Sequence, residues 1–151
     1  MNKSEVVAET KKHIRAVQML LQNVRTRLTA RGAAHDSSKL SEDELPIFIE
    51  FTPKLKGCTY GSEEYKGFLK AMKPALDHHY ASNRHHPEHF SDGILDMNLI
   101  DIIEMFCDWR AATERHADGD IKKSIQVNQA RFGYSDEMKQ ILLNTVDYMR
   151  L

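Results

Sequence analysis

The chain has 151 residues, 41% of them hydrophobic, 28% charged and 8% aromatic, with 21 Lys plus Arg against 22 Asp plus Glu. That length matches one domain spanning residues 1–151, large enough to bury a core without disulfides. A formal net charge of -1 gives no basic field for nucleic acid or an anionic membrane. No apolar run is long enough to span a bilayer, and the start MNKSEVVAETKKH lacks a signal peptide's apolar stretch, so a cytoplasmic protein is expected.

From about Ser4 to Arg31, apolar residues at Val6, Val17, Leu20, Leu21, Val24 and Leu28 recur with helical spacing, which predicts a long amphipathic helix ended by Gly32. His13 lies on the same stripe, since 13, 17, 20 and 24 are successive i+3 or i+4 positions, and is expected to point inward. After a short segment containing His35-Asp36-Ser37-Ser38-Lys39, Ser41 and Glu44 form the pattern of a capping box for a helix to about Phe51, with Pro46 early in it. Thr52 to Gly61, with Pro53, Gly57 and Gly61, reads as a loop. Ser62 opens the next helix, whose Tyr65, Phe68, Leu69, Met72, Leu76 and His79 share a face, with a kink expected at Pro74. His79 is the inward member of its pair and His78 the solvent-facing one. Asn83 to His89 lacks periodicity and contains Pro87, so it is expected to be irregular. Asn98 caps a very apolar helix from Leu99 to about His116, closed by Asp118-Gly119-Asp120. Ile121 to Phe132 and Asp136 to about Met149, the latter capped by Ser135, complete the set. The fold class is therefore all-α, a helical bundle of five to seven helices. The stripes of the first and last helices could each be buried within the chain or across a homodimer.

Eight histidines are the compositional anomaly, and five of them, His78, His79, His85, His86 and His89, fall within twelve residues. A polar surface loop is the bland explanation, but imidazoles arriving at the inner end of a helix and in the loop after it could converge on an ion. No cysteine lies nearby, so a zinc finger does not fit. The vicinal His35-Asp36 pair can supply two ligands to one ion or one to each of two, and equally reads as a turn. Cys58 and Cys107 make no redox or metal motif. On the helix from Leu99, Asp101, Glu104 and Asp108 share one face, and buried carboxylates there require a cation, a metal or water. A blander arrangement leaves Asp101 and Glu104 in solvent and turns only Asp108 inward, against Arg84, Arg110, Arg115 or Lys39.

A His on the first helix, a His-Asp pair after it, further His residues and an Asp on a later core helix resemble the ordered ligand pattern of the HD-domain superfamily. His13, His35, Asp36 and Asp108 match that order, with Asp101 an alternative last ligand, and His35-Asp36-Ser37-Ser38-Lys39 resembles the superfamily's His-Asp-x-x-Lys form. His79, His85 and His86 resemble the extra ligands of its dinuclear branches. His79 through His-His-Pro-Glu-His, with Cys107-Asp108-Trp109-Arg110-Ala111-Ala112, is also similar to a family of small HD-like proteins of uncharacterised function in bacteria and their phages. The resemblance implies an HD-type helical domain holding one or two divalent transition metals (Mn, Fe, Co, Ni or Zn) and hydrolysing a nucleotide or related small phosphate ester. The Gly-Tyr-Pro motif of cyclic-dinucleotide phosphodiesterases is absent. On this reading Lys39, Arg84 and Arg110 meet substrate phosphate, Lys39, Glu88 and Glu104 are the catalytic candidates, and Glu88 or Glu104 could instead orient a ligand imidazole. His78, His89 and His116 are left at the surface or behind the ligands. Two other readings share the scaffold: an HD-type di-iron oxygenase, and a non-catalytic helical binding or effector protein with a structural metal site.

Overall fold

A computed structural model describes residues 2–58, 62–115 and 119–151, and shows seven α-helices, three short 3₁₀ turns and, among these residues, no strand. The helices are α1 (Lys3–Ala34), α2 (Leu45–Gly57), α3 (Glu63–Ala71), α4 (Lys73–Ser82), α5 (Leu99–Thr113), α6 (Ile121–Phe132) and α7 (Asp136–Met149). The 3₁₀ turns are Ser37–Leu40, Pro87–His89 and Gly93–Asp96. The all-α expectation therefore holds. The chain comprises two compact units, Met1–His35 and Asp36–Leu151.

The first unit is α1. Asn2 and Glu5 close a capping box at its start, and the helix runs through Gly32 instead of ending there. Ala33 and Ala34 are strong helix formers, and glycine without positive φ merely weakens a helix interior. The chain turns at Asp36, whose φ of 55° lies in the left-handed region that aspartate tolerates better than most residues. No residue of α1 is buried, and Ile14, Val17, Leu20, Leu21 and Val24 are exposed. His13 is exposed too, contrary to its expected inward orientation.

The second unit carries the core. Phe106 of α5, Ile121 and Ile125 of α6, Tyr134, and Leu142 and Val146 of α7 form one buried cluster, with Trp109 and Phe132 stacked beside it at 6.1 Å between ring centroids. The expected ends of α6 and α7 are reproduced: Asp120 and Ser135 cap their starts, and Gly133 takes φ 68° after the last turn of α6. The last helix thus buries its stripe within the chain.

Further boundaries differ from expectation. Residues Thr52 to Gly57, expected in a loop, continue α2. Phe48, Phe51 and Leu55 are half-buried at helical spacing, and the carbonyl that Pro53 leaves without its helical donor belongs to exposed Ile49, where water can replace the bond. The kink expected at Pro74 is a full break at Met72: Pro74 sits in the first turn of α4, where its missing N–H is harmless. Helix α5 ends at Thr113, and His116 and Asp118 lie outside the described residues. Only one side of α5 is buried, at Ile102, Met105 and Phe106, while Leu99 is 75% exposed.

A candidate metal centre

Four side chains of the second unit converge where the turn after α1 meets the end of α4. Asp36, His79, His85 and His86 each offer a ligand atom, all within 4.8 Å of one another. His79 Nε2 lies 3.0 Å from His86 Nε2 and 3.2 Å from Asp36 Oδ1, and His85 Nε2 lies 3.4 Å from the same oxygen. Donors on a tetrahedral ion with bonds of about 2.1 Å sit roughly 3.4 Å apart, so these separations suit one ion of the Mn-to-Zn series. His79 and His85 are almost fully buried.

Local structure explains the convergence. His79 occupies the inner face of α4 above Met72 and Ala75, both buried. Asn83 ends that helix with extended backbone, and its amide donates to the His79 carbonyl at 2.8 Å, turning the chain so that His85 and His86 fold back. Pro87 starts the following 3₁₀ turn, and His89 Nδ1 lies 2.9 Å from the Tyr80 carbonyl, which ties that turn to α4. Asp36 reaches the cluster from its left-handed position.

Electrostatics keep two of the donors, Asp36 and His86, in binding form. Burial alone would raise the Asp36 carboxyl, but hydrogen bonds with His79, His85 and Lys39, and the Lys39 charge, outweigh it and hold the group well below the usual carboxylate range. Burial, reinforced by His85 and His79, pushes His86 down to about 3, so it stays neutral at neutral pH.

Two carboxylates stand behind the imidazoles. Glu104 Oε1 lies 3.2 Å from His85 Nδ1. Glu44, with no exposed surface, places Oε2 3.0 Å from His79 Nδ1 and Oε1 2.7 Å from His78 Nδ1. Glu44 was expected to cap α2 with Ser41. It occupies the N-cap position but makes no side-chain capping bond, because its carboxylate is turned into the centre. This functional residue escaped the sequence, since its partners are 34 and 35 positions away and Ser-x-x-Glu has an ordinary local meaning.

The remaining expected site residues have differing surroundings. Lys39 adjoins the centre, 2.5 Å from Asp36 Oδ2. His35 is the C-cap of α1 and closes the first unit. His13 lies twenty-two residues earlier on the same unbroken helix, roughly 33 Å away at 1.5 Å per residue, so within one chain the two cannot share an ion. Asp108 is half-buried and brings a carboxylate oxygen within 4.8 Å of one from Asp36. Asp101 and Glu104, and not Asp108 alone, turn inward. Asp101 is engaged with its own helix start: it accepts the Asn98 N–H in a capping box and a two-pronged contact from Arg84, at 3.2 and 3.0 Å. Arg84 is thereby drawn to Asp101, and Arg110 to Glu114 at 3.1 Å and to Thr113. Glu88 pairs with Arg131 at 2.6 Å and not with the cluster. His78 is part-exposed, as expected, yet linked to the centre through Glu44.

The architecture is thus that of an all-α protein with a buried histidine–aspartate cluster. The chain belongs to a family of unknown function (DUF5662), which it matches over residues 2–148. No curated protein and no solved structure matches it.

Proposed function

We propose that the protein is a metal-dependent phosphohydrolase of HD type, acting on a nucleotide or related small phosphate ester. The observation that carries this reading is the convergence of Asp36, His79, His85 and His86 at separations suited to a bound transition metal. Three imidazoles and one carboxylate match Mn, Fe, Co, Ni or Zn, and on an ion of five or six coordination would leave positions open to a small ligand. When bound, the ion would supply Lewis-acid polarisation of a phosphoryl oxygen and acidify water beside it. Asp36 contributes a permanently ionised donor. Its nearness to Asp108 makes it the natural bridge if a second ion is held.

Lys39 is the cation placed to meet substrate phosphate. Its side chain is 34% exposed, and swinging from Asp36 Oδ2 to a phosphate oxygen would exchange one anionic partner for another. Glu104 serves His85 as an orienting acceptor, which suits it better to positioning than to proton transfer. A cytoplasmic location is part of the proposal; no helix among the described residues is long and apolar enough to cross a membrane.

Protein purified without a His tag is expected to carry a transition metal by elemental analysis, and to release phosphate from nucleotides with manganese, cobalt or nickel. Absence of both would overturn the reading. An oxygenase would instead consume oxygen in the reduced, iron-loaded state, and a purely structural site would hold metal without either activity.

A further inference from the structure

We infer that Glu44 is a positioning residue that keeps a proton on His79 Nδ1, so that Nε2 is the nitrogen turned toward Asp36, His85 and His86. The inference rests on the proposed metal-centre reading and names a residue outside the ligand set. Three groups approach His79 Nδ1: Glu44 Oε2 at 3.0 Å, Ser38 Oγ at 3.1 Å and Asn83 Nδ2 at 3.1 Å. An ionised carboxylate only accepts hydrogen bonds. The Asn83 amide has two hydrogens, and they are directed to Ser38 Oγ at 2.7 Å and the His79 carbonyl at 2.8 Å. A lone pair on Nδ1 would face the Glu44 oxygen, whereas a proton there is donated to that oxygen while Ser38 Oγ accepts from Asn83.

Glu44 is itself pinned. Its other oxygen lies 2.7 Å from His78 Nδ1, and His78 Nε2 lies 3.5 Å from Asp43 Oδ2 on the outer side. A buried carboxylate without such partners would cost several kcal/mol. Adjacent histidines at the end of α4 thus divide the work: His78 fixes the carboxylate, and the carboxylate fixes His79. Glu104 makes the corresponding contact with His85 Nδ1. Carboxylates behind ligand histidines set ring orientation and tautomer, and their loss typically lowers metal affinity by about 10–100-fold.

The test combines Glu44→Gln and Glu44→Asp with a metal-free readout and a metal-bound one. Long-range nitrogen–proton NMR of histidine-labelled, metal-free protein is expected to show His79 protonated at Nδ1 in the wild type, and shifted toward Nε2–H in Glu44→Gln. Cobalt(II) titration is expected to show affinity about 10–100-fold lower in both variants, with an altered visible spectrum. Glu44→Asp keeps the charge but is one methylene too short to hold both histidines, and it carries the test if Glu44→Gln fails to fold. His78→Gln is expected to lower affinity less, and Glu50→Gln, on the exposed side of α2, not at all. A wild-type His79 protonated only at Nε2, or Glu44 variants with wild-type cobalt affinity and spectrum, would overturn the inference. Wild-type protein that binds no cobalt while His79 still carries its Nδ1 proton would instead overturn the metal-centre reading.

Discussion

Asp36 combines three properties that rarely coincide: a left-handed backbone, a carboxyl held ionised, and contacts with His79, His85 and Lys39. Asp36→Asn should fit the backbone, since asparagine tolerates the same region, while removing the anionic donor. The expected outcome is loss of stoichiometric metal in elemental analysis, with the far-ultraviolet circular dichroism of the folded chain retained. Tyr134 belongs to the core and not to the centre. Its hydroxyl donates to the Ile125 carbonyl, and burial pushes its pKa up to about 12, against about 10 in an unfolded chain. A raised folded-state value means that its contribution to stability is complete below pH 10 and is lost as pH rises toward 12. Denaturant titrations across that window should show stability falling with pH, and Tyr134→Phe should flatten the fall while costing about 1 kcal/mol at neutral pH.

At the level of elements, α4 and α5 hold the centre from two sides, α4 through His79 and α5 through Glu104. Helix α5 is fixed against the core by Phe106 and started by the Asn98–Asp101 capping box. The Arg84 contact with Asp101 ties the histidine-bearing turn to that same helix start. Arg84→Ala would leave a fully buried carboxylate with weaker compensation, and is expected to destabilise the protein by about 3 kcal/mol in chemical denaturation. Metal affinity should fall with it, because His85 follows Arg84 directly. Ile125→Ala, in the α6–α7 packing, should cost about 2–5 kcal/mol with metal affinity retained in the folded fraction.

Across the molecule, the buried residues among those described all lie in the second unit, while α1 contributes none. A ligand that binds only the folded second unit must stabilise it by mass action, by about 2.7 kcal/mol at a hundredfold excess over the dissociation constant. Thermal scans with and without a chelator should therefore separate, and His79→Ala should collapse the difference. The sequence left open whether the α1 stripe is buried within the chain or across a homodimer; for a homodimer, Leu21→Glu should lower the mass measured by light scattering toward that of one chain.

What the sequence determined by itself was the local part: the all-α class, the spans of α6 and α7, the cap at Asn98, and the inward turn of His79. Those features rest on spacing and capping within a few residues, which a linear pattern records. Tertiary structure decided the rest. Glu44 carried an ordinary capping signature, and only contact with a helix more than thirty positions away shows its carboxylate on two histidines. Asp101, Glu104 and Asp108 share a face that the sequence reveals, but which one pairs with an arginine and which stands behind a histidine depends on what packs against that face. His13 shows the limit from the other side. Helical periodicity placed it correctly on an apolar stripe, yet a stripe is buried only if something covers it.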